Sequence, residues 1–167
     1  MSVEELLIRH AMADDIKKIA EIEEKCFPLA EAASIKSFFE RFLVFPECFY
    51  VAELEGKVVG HINGCVTDVP DLPDELYHNA SLHKPKGDWQ TVFGIAVLPD
   101  YQHQGIASAM MKHFQKQAKE QGRKGVILTC KDEKKTFYEG LGFRCKGVSN
   151  SCHGGAKWND MLCEFKK

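Results

Sequence analysis

The sequence predicts a mixed α/β domain, a central mixed sheet of about six to seven strands flanked by helices, and three observations carry that prediction. Short runs rich in β-branched and aromatic residues alternate with runs whose apolar residues recur every three or four positions. From Trp89 to Cys130 a strand, a helix and a second strand follow one another, the succession that places two parallel strands beside each other through a right-handed crossover. Finally, no repeat, low-complexity tract or linker divides the 167 residues. Residues 1–167 therefore read as one domain, long enough to bury a core without metal or disulfide support.

Taken in order, Glu5 to Arg9 reads as a short strand. Asp14 then caps a helix whose apolar positions Ile16, Ile19, Ala20, Cys26 and Phe27 fall on one face, ending at Pro28. A second helix is expected from Ser34, burying Ile35, Phe38, Phe39, Phe42 and Leu43 and stopping before Pro46. CFYVAELEGKVVGHINGCVTD reads as a hairpin with arms Cys48 to Leu54 and Val58 to Asp68 and a turn at Gly56. The stretch 69–86, with three prolines, is too long for a mere connector and has room for a short helix at DELYHN. Trp89 to Val97 is the next strand, interrupted at Gly94, where a lone glycine marks a bulge or a close backbone approach. A helix from Gly105 to Gln121, the strand GVILTC, a short helix from Lys134 to Leu141 and an antiparallel pair at 143–149 and 156–165 complete the chain.

Composition excludes several classes. With 24 acidic and 22 basic residues, a formal charge of −2 and no basic block, nucleic acid is not an expected partner. Seven cysteines, scattered and odd in number, suit a reduced, cytoplasmic protein. Cys152–His153 lacks the matched second pair that a metal site needs, so no metal is expected. The first ten residues are unlike a signal peptide and no apolar run reaches membrane-spanning length, so no membrane is expected either.

The stretch VLPDYQHQGIASAM places Gln102, His103, Gln104, Gly105, Ile106, Ala107 and Ser108 where a strand gives way to a helix. Free backbone N–H groups there carry partial positive charge, and small residues let an anion reach them, so the segment reads as a phosphate cradle or as an ordinary strand-to-helix turn. The run GIAVLPDYQHQGIASAMM, followed by VILTC and FYEGLGF, resembles the GNAT superfamily of acetyl-CoA-dependent N-acetyltransferases. Its Arg/Gln-x-x-Gly-x-Gly/Ala pattern falls on Gln102, Gly105 and Ala107. LHKPKGDWQTVFGIAV and CFPLAEAAS look most like the arylalkylamine (serotonin) N-acetyltransferase branch.

That resemblance implies that Ile95, Ala96 and Val97 offer main-chain groups to the pantetheine arm of acetyl-CoA, while residues 102–108 hold its pyrophosphate. Gly94 then fits the family bulge, with a freed amide facing the thioester oxygen. Tyr138, in FYEGLGF, matches the tyrosine facing the departing sulfur; its competing reading is a core aromatic. In the vertebrate branch two histidines assist deprotonation, but the matching positions here are Thr91 and Phe93. Glu31, in PLAEAA, is the substitute expected to draw in and deprotonate a cationic amine, or else a solvated acid before a helix. Pro28, Leu29 and His61 are expected at the substrate. His61 could equally be a hydrogen-bonded structural residue, and His153 an exposed hairpin residue or part of the pocket rim. Lys131, Lys134 and Lys135 could meet the coenzyme's outer phosphate, and Cys130 reads as a small buried side chain rather than a nucleophile. The expected activity is direct acetyl transfer from acetyl-CoA to a small primary amine, first of all an arylalkylamine, by a monomer or homodimer. A polyamine or peptide amine, or a non-catalytic acyl-CoA sensor, are the alternatives.

Overall fold

In the computed structural model, which describes residues 5–166, the strands fall into two sheets rather than one. The first has the order β1-β2-β3-β6 and is antiparallel: β1 (Leu6–His10), β2 (Phe49–Leu54), β3 (Lys57–Asn63) and β6 (Gly94–Val97). The second has the order β4-β5-β7-β9-β8, with β4 (Val66–Thr67), β5 (Trp89–Thr91), β7 (Gly125–Cys130), β9 (Asn159–Glu164) and β8 (Arg144–Val148). Here β5 and β7 are parallel, as the strand-helix-strand succession requires, and the other neighbours are antiparallel. Among the described residues five α-helices accompany them: α1 (Ile16–Cys26), α2 (Ile35–Val44), α3 (Asp74–His78), α4 (Ile106–Glu120) and α5 (Lys135–Glu139).

Two segments expected as continuous strands break, and the breaks build the site. The arm expected from Val58 to Asp68 leaves the first sheet at Asn63. Gly64 then passes so close to Thr91 that a Cβ there would stand 2.0 Å from the Thr91 carbonyl oxygen, and β4 resumes in the second sheet. The strand expected from Trp89 to Val97 breaks at Val92 and Phe93, just before Gly94. The Val92 N–H still bonds the Ile127 carbonyl of the second sheet (2.9 Å), whereas the Phe93 N–H already bonds Asn63 of the first (2.7 Å). Beyond this handover β6 pairs with β3, β7 pairs with β9, and a wedge opens between β6 and β7 at their carboxyl ends.

Two expectations about the early helices are corrected. Asp15, not Asp14, organises the start of α1: its carboxylate accepts the Met12 N–H (2.8 Å) and two bonds from the Arg9 guanidinium (2.8 and 3.2 Å). Ser34 does cap α2, accepting the Ser37 N–H at 3.1 Å. The buried stripe of α2, however, runs through Phe38 and Arg41 to Phe45, leaving Ile35, Phe39 and Leu43 exposed. The row Phe38, Arg41, Phe45, with Phe42 half-buried beside it, faces α1 and the sheet, and the row Ile35, Phe39, Leu43 turns to the opposite side. α4 lays Ile106, Met110, Met111, Phe114 and Ala118 into the main core. Among the described residues no helix is long and apolar enough to cross a membrane, and no group of three or more His, Cys, Asp or Glu is placed to hold a metal.

Candidate active site

A cavity of about 420 Å³ fills the wedge. Its floor comes from Phe93, Gly94 and Ile95 on one side and Leu128, Thr129 and Cys130 on the other, with Tyr138 of α5 beneath. Glu23, Cys26, Phe27 and Pro28 of α1 and its following turn form one wall, and Arg41 and Tyr77 another. Glu31, Lys131, His153 and Trp158 stand at the rim.

Glu23 was not singled out by the sequence reasoning, and it is the most unusual group here. It is 5% exposed, on the apolar face of α1 with Ile19 and Ala20. Its Oε2 accepts the Ala33 N–H (2.9 Å), while Oε1 lies 3.2 Å from His61 Nε2 without the alignment of a hydrogen bond and has no other partner. His61 is fully buried on β3, and among the described residues neither of its ring nitrogens has an aligned hydrogen bond, which departs from the hydrogen-bonded structural reading. Both side chains face the start of β6: a Cβ on Gly94 would stand 3.8 Å from Glu23 Oε1 and 3.9 Å from His61 Cε1. The arrangement leaves a buried carboxylate oxygen with unused hydrogen-bonding capacity.

Tyr138 is buried against Phe137 and Phe143, and among the described residues its hydroxyl has no protein hydrogen-bond partner. Desolvation pushes its phenol well above the ordinary value, so it keeps its proton at any physiological pH. Burial likewise raises the Cys130 thiol to about 11, which keeps it a neutral thiol.

The turn before α4 has the backbone of an anion nest. His103 and Gly105 both have positive φ (63° and 85°), and 102–105 are exposed, so the first amides of α4 face outward. A Cβ built on Gly105 meets nothing within 4 Å. Gln102 is tied down instead of free, because its Nε2 donates to the Val97 carbonyl (2.9 Å), which also accepts the Cys26 thiol (3.1 Å). That carbonyl is therefore engaged before any ligand arrives. Ile95 lines the cavity, while Ala96 and Val97 are buried behind it.

Other expected residues are placed as follows. Pro28 is in the wall, but Leu29 is 93% exposed and outside the lining. His61 backs Glu23 rather than forming the cavity surface. Glu31 is no free carboxylate: Lys131 Nζ donates to its Oε2 at 2.7 Å, so the lysine is turned to the rim instead of outward to a distant phosphate. His153 is drawn into the rim, against the exposed-hairpin reading, stacked on Tyr77 (5.6 Å, 10° between planes) with Nε2 3.0 Å from the Glu31 carbonyl. Thr91 donates its hydroxyl to the Cys65 carbonyl (2.9 Å), and Phe93 lies under Arg41.

Comparison with known proteins gives the family and the fold. A sequence model described as the acetyltransferase (GNAT) family matches residues 16–143. The uncharacterized N-acetyltransferase YkwB of Bacillus subtilis is 28% identical over 119 residues, 65% of this chain and 53% of that protein. For the arylalkylamine branch the likeness is more distant: serotonin N-acetyltransferase of Mesocricetus auratus is 25% identical over 113 residues, 67% of this chain and 53% of that one. The chain thus spans about half the length of these curated relatives. Among solved structures, the GphF GNAT-like decarboxylase in complex with isobutyryl-CoA shares the fold with a TM-score of 0.83 at 19% identity, covering 96% of this chain and 100% of that one.

Proposed function

The chain belongs to the GNAT acetyltransferase family, and on that premise we propose that it moves an acetyl group from acetyl-CoA directly onto a small primary amine with an aryl or similar apolar body. The observation that carries this reading is the pairing, in one cavity, of a buried carboxylate that has an unpartnered oxygen among the described residues with a buried phenol.

The residues present fit the coenzyme. The nest at 103–105 would present amides to a diphosphate, the open space beside Gly105 leaves room for it, and Ile95 and Tyr138 line the one cavity in which the acyl end would lie. Acetyl-CoA would supply the acyl group and a thiolate leaving group. An alkylammonium resembles lysine, with a pKa of about 10, and must lose a proton before it attacks. Glu23 Oε1 accepts that proton, with the His61 ring beside it to share the charge. Glu31, which already neutralises Lys131, holds the rim closed instead. Tyr138 donates a hydrogen bond to the departing sulfur. Because a free thiol has a pKa of about 8.5 and this phenol stands far higher, the phenol keeps its proton and contributes electrostatically, and the second proton that the nitrogen loses as the amide forms goes to the departing thiolate. Amine and thioester held together in the wedge supply the rest.

Phe27, Tyr77, Phe93 and Trp158 in the lining favour an aryl body. A polyamine would bring a second ammonium toward the buried cation of Arg41, which disfavours it. The test is release of thiol from acetyl-CoA in the presence of arylalkylamines, aromatic amino acids, spermidine and a short peptide. Turnover with aryl-bearing amines is expected. Tight acetyl-CoA binding with no amine-dependent thiol release would show an acyl-CoA sensor and overturn the reading.

A further inference from the structure

Arg41 is a cation for which acetyl transfer, as described, has no use. It is 5% exposed and lines the cavity. Its guanidinium lies over the Phe93 ring (4.7 Å to the centroid) and against Phe38 (5.5 Å). Nη1 donates to Asn63 Oδ1 (3.1 Å), Nη2 to the Tyr77 carbonyl (3.2 Å), and Nε has no partner. Among the described residues no carboxylate stands within 4.0 Å of it, whereas the guanidinium of Arg9 meets two. Neutral acceptors and ring faces hold this charge in place without neutralising it. Desolvation lowers its pKa, and Glu23 is the strongest opposing influence.

The same cavity therefore contains a buried anion, Glu23, and a buried cation, Arg41, that do not touch each other, and each has an atom left without a partner. Their partners share one strand. Arg41 binds Asn63, and Glu23 lies against His61, two residues earlier on the same face of β3; the Cα atoms of such positions stand roughly 7 Å apart, which sets the scale of the gap between the two charges. An ammonium and a carboxylate joined through one carbon, each adding a charge-assisted hydrogen bond of about 2.8 Å, bridge that gap. Planar, forked recognition of a carboxylate is the task for which a guanidinium is suited.

We propose that the acceptor is an amino carboxylate, an α-amino acid with an apolar and preferably aromatic side chain, whose ammonium meets Glu23 and whose carboxylate meets Arg41. This rests on the acetyl-transfer reading and narrows its acceptor. The aromatic wall then holds the side chain.

Matched pairs that differ only in the carboxylate test it: phenylalanine against phenethylamine, and tryptophan against tryptamine, with thiol release from acetyl-CoA as readout. The wild-type protein should show a kcat/KM at least about tenfold higher for each amino acid than for its amine. An amine used as well as, or better than, its amino acid overturns the proposal while leaving acetyl transfer standing; no turnover of either kind overturns both. In Arg41→Gln, kcat/KM for phenylalanine should fall about 10²-fold, chiefly through KM, and less for phenethylamine. An equal loss for both substrates in a variant with wild-type melting would refute recognition of the carboxylate by Arg41. Should Arg41→Gln fail to fold, the wild-type pairs decide alone.

Discussion

Two glycines at opposite ends of α4 separate the strain of a backbone from the role of a binding turn. Gly105 has φ +85° and Gly122 has φ +83°, and at both a Cβ would meet nothing within 4 Å. Alanine at either position therefore incurs the same left-handed penalty, about 1–2 kcal/mol, with no clash to add. In a domain of this size each kcal/mol lowers Tm by about 2–4 °C, so both variants should melt a few degrees early and by similar amounts. The fifteen residues of α4 and its flanking positions put the two sites roughly 25 Å apart. Only the methyl at 105 enters the space proposed for the diphosphate. By calorimetric titration, Gly105→Ala should bind acetyl-CoA at least about tenfold more weakly, a loss of about 1.4 kcal/mol, and Gly122→Ala should bind like the wild type. Equal affinities in the two variants, whether both weakened or both unchanged, would refute the cradle.

Tyr138→Phe should lower kcat about 10²-fold with little change in acetyl-CoA affinity. Because burial raises this phenol, the wild-type kcat should also show no alkaline loss attributable to Tyr138 up to pH 10. Glu23→Gln keeps an acceptor for the Ala33 N–H but not a base, so kcat/KM should drop by about 10²–10⁴ while the melting temperature stays within a few degrees, checked by thiol release and calorimetry. At Asp15, burial alone would raise the carboxyl, but the bonds from Arg9 and Met12 outweigh it and hold the folded value below the ordinary one. Its stabilisation is therefore full above the unfolded value of about 3.9 and is lost as pH falls through the folded one. Asp15→Asn should cost about 1–2 kcal/mol in urea unfolding at pH 7, with the gap to wild type closing toward pH 3.

Local chemistry made most elements legible. Gly56 closes a hairpin, Ser34 caps α2, Gly142 ends the turn after α5, and the β-branched run GVILTC is the buried strand β7. Illegible were the points where one strand changes sheets. Nothing in the alternation of 58–68 or 89–97 shows that Gly64 and Thr91 cross at contact distance, since that approach joins residues 27 positions apart. Hydrophobic patterning reports which side of a strand is buried, not which neighbour buries it. The wedge is therefore a tertiary feature, and Gly64, which permits the crossing, lay unread inside an expected strand.

The same distinction explains what was found and missed at the site. The cradle is contiguous, so a motif could reveal it; the proposed base depends on α1, β3 and β6 together. Even so, a signal was present. Glu23 continues the stripe Ile16, Ile19, Ala20, and Arg41 continues Phe38 toward Phe45, so in both helices bordering the cavity a charge occupies a core position. Burial alone would not have been enough, because Asp15 is buried too and is fully engaged by Arg9 and Met12. Leftover hydrogen-bonding capacity distinguishes them. Among the described residues Glu23 Oε1, both His61 nitrogens, Arg41 Nε and Asn63 Nδ2 are unpartnered and belong to residues in, or packed directly behind, the two walls that face each other across the cavity, while His83 Nε2 and Arg123 Nε are the two that lie elsewhere. Unmet polar atoms in a folded interior are costly, and their concentration at one place is the mark of a surface shaped for a polar ligand rather than for the fold.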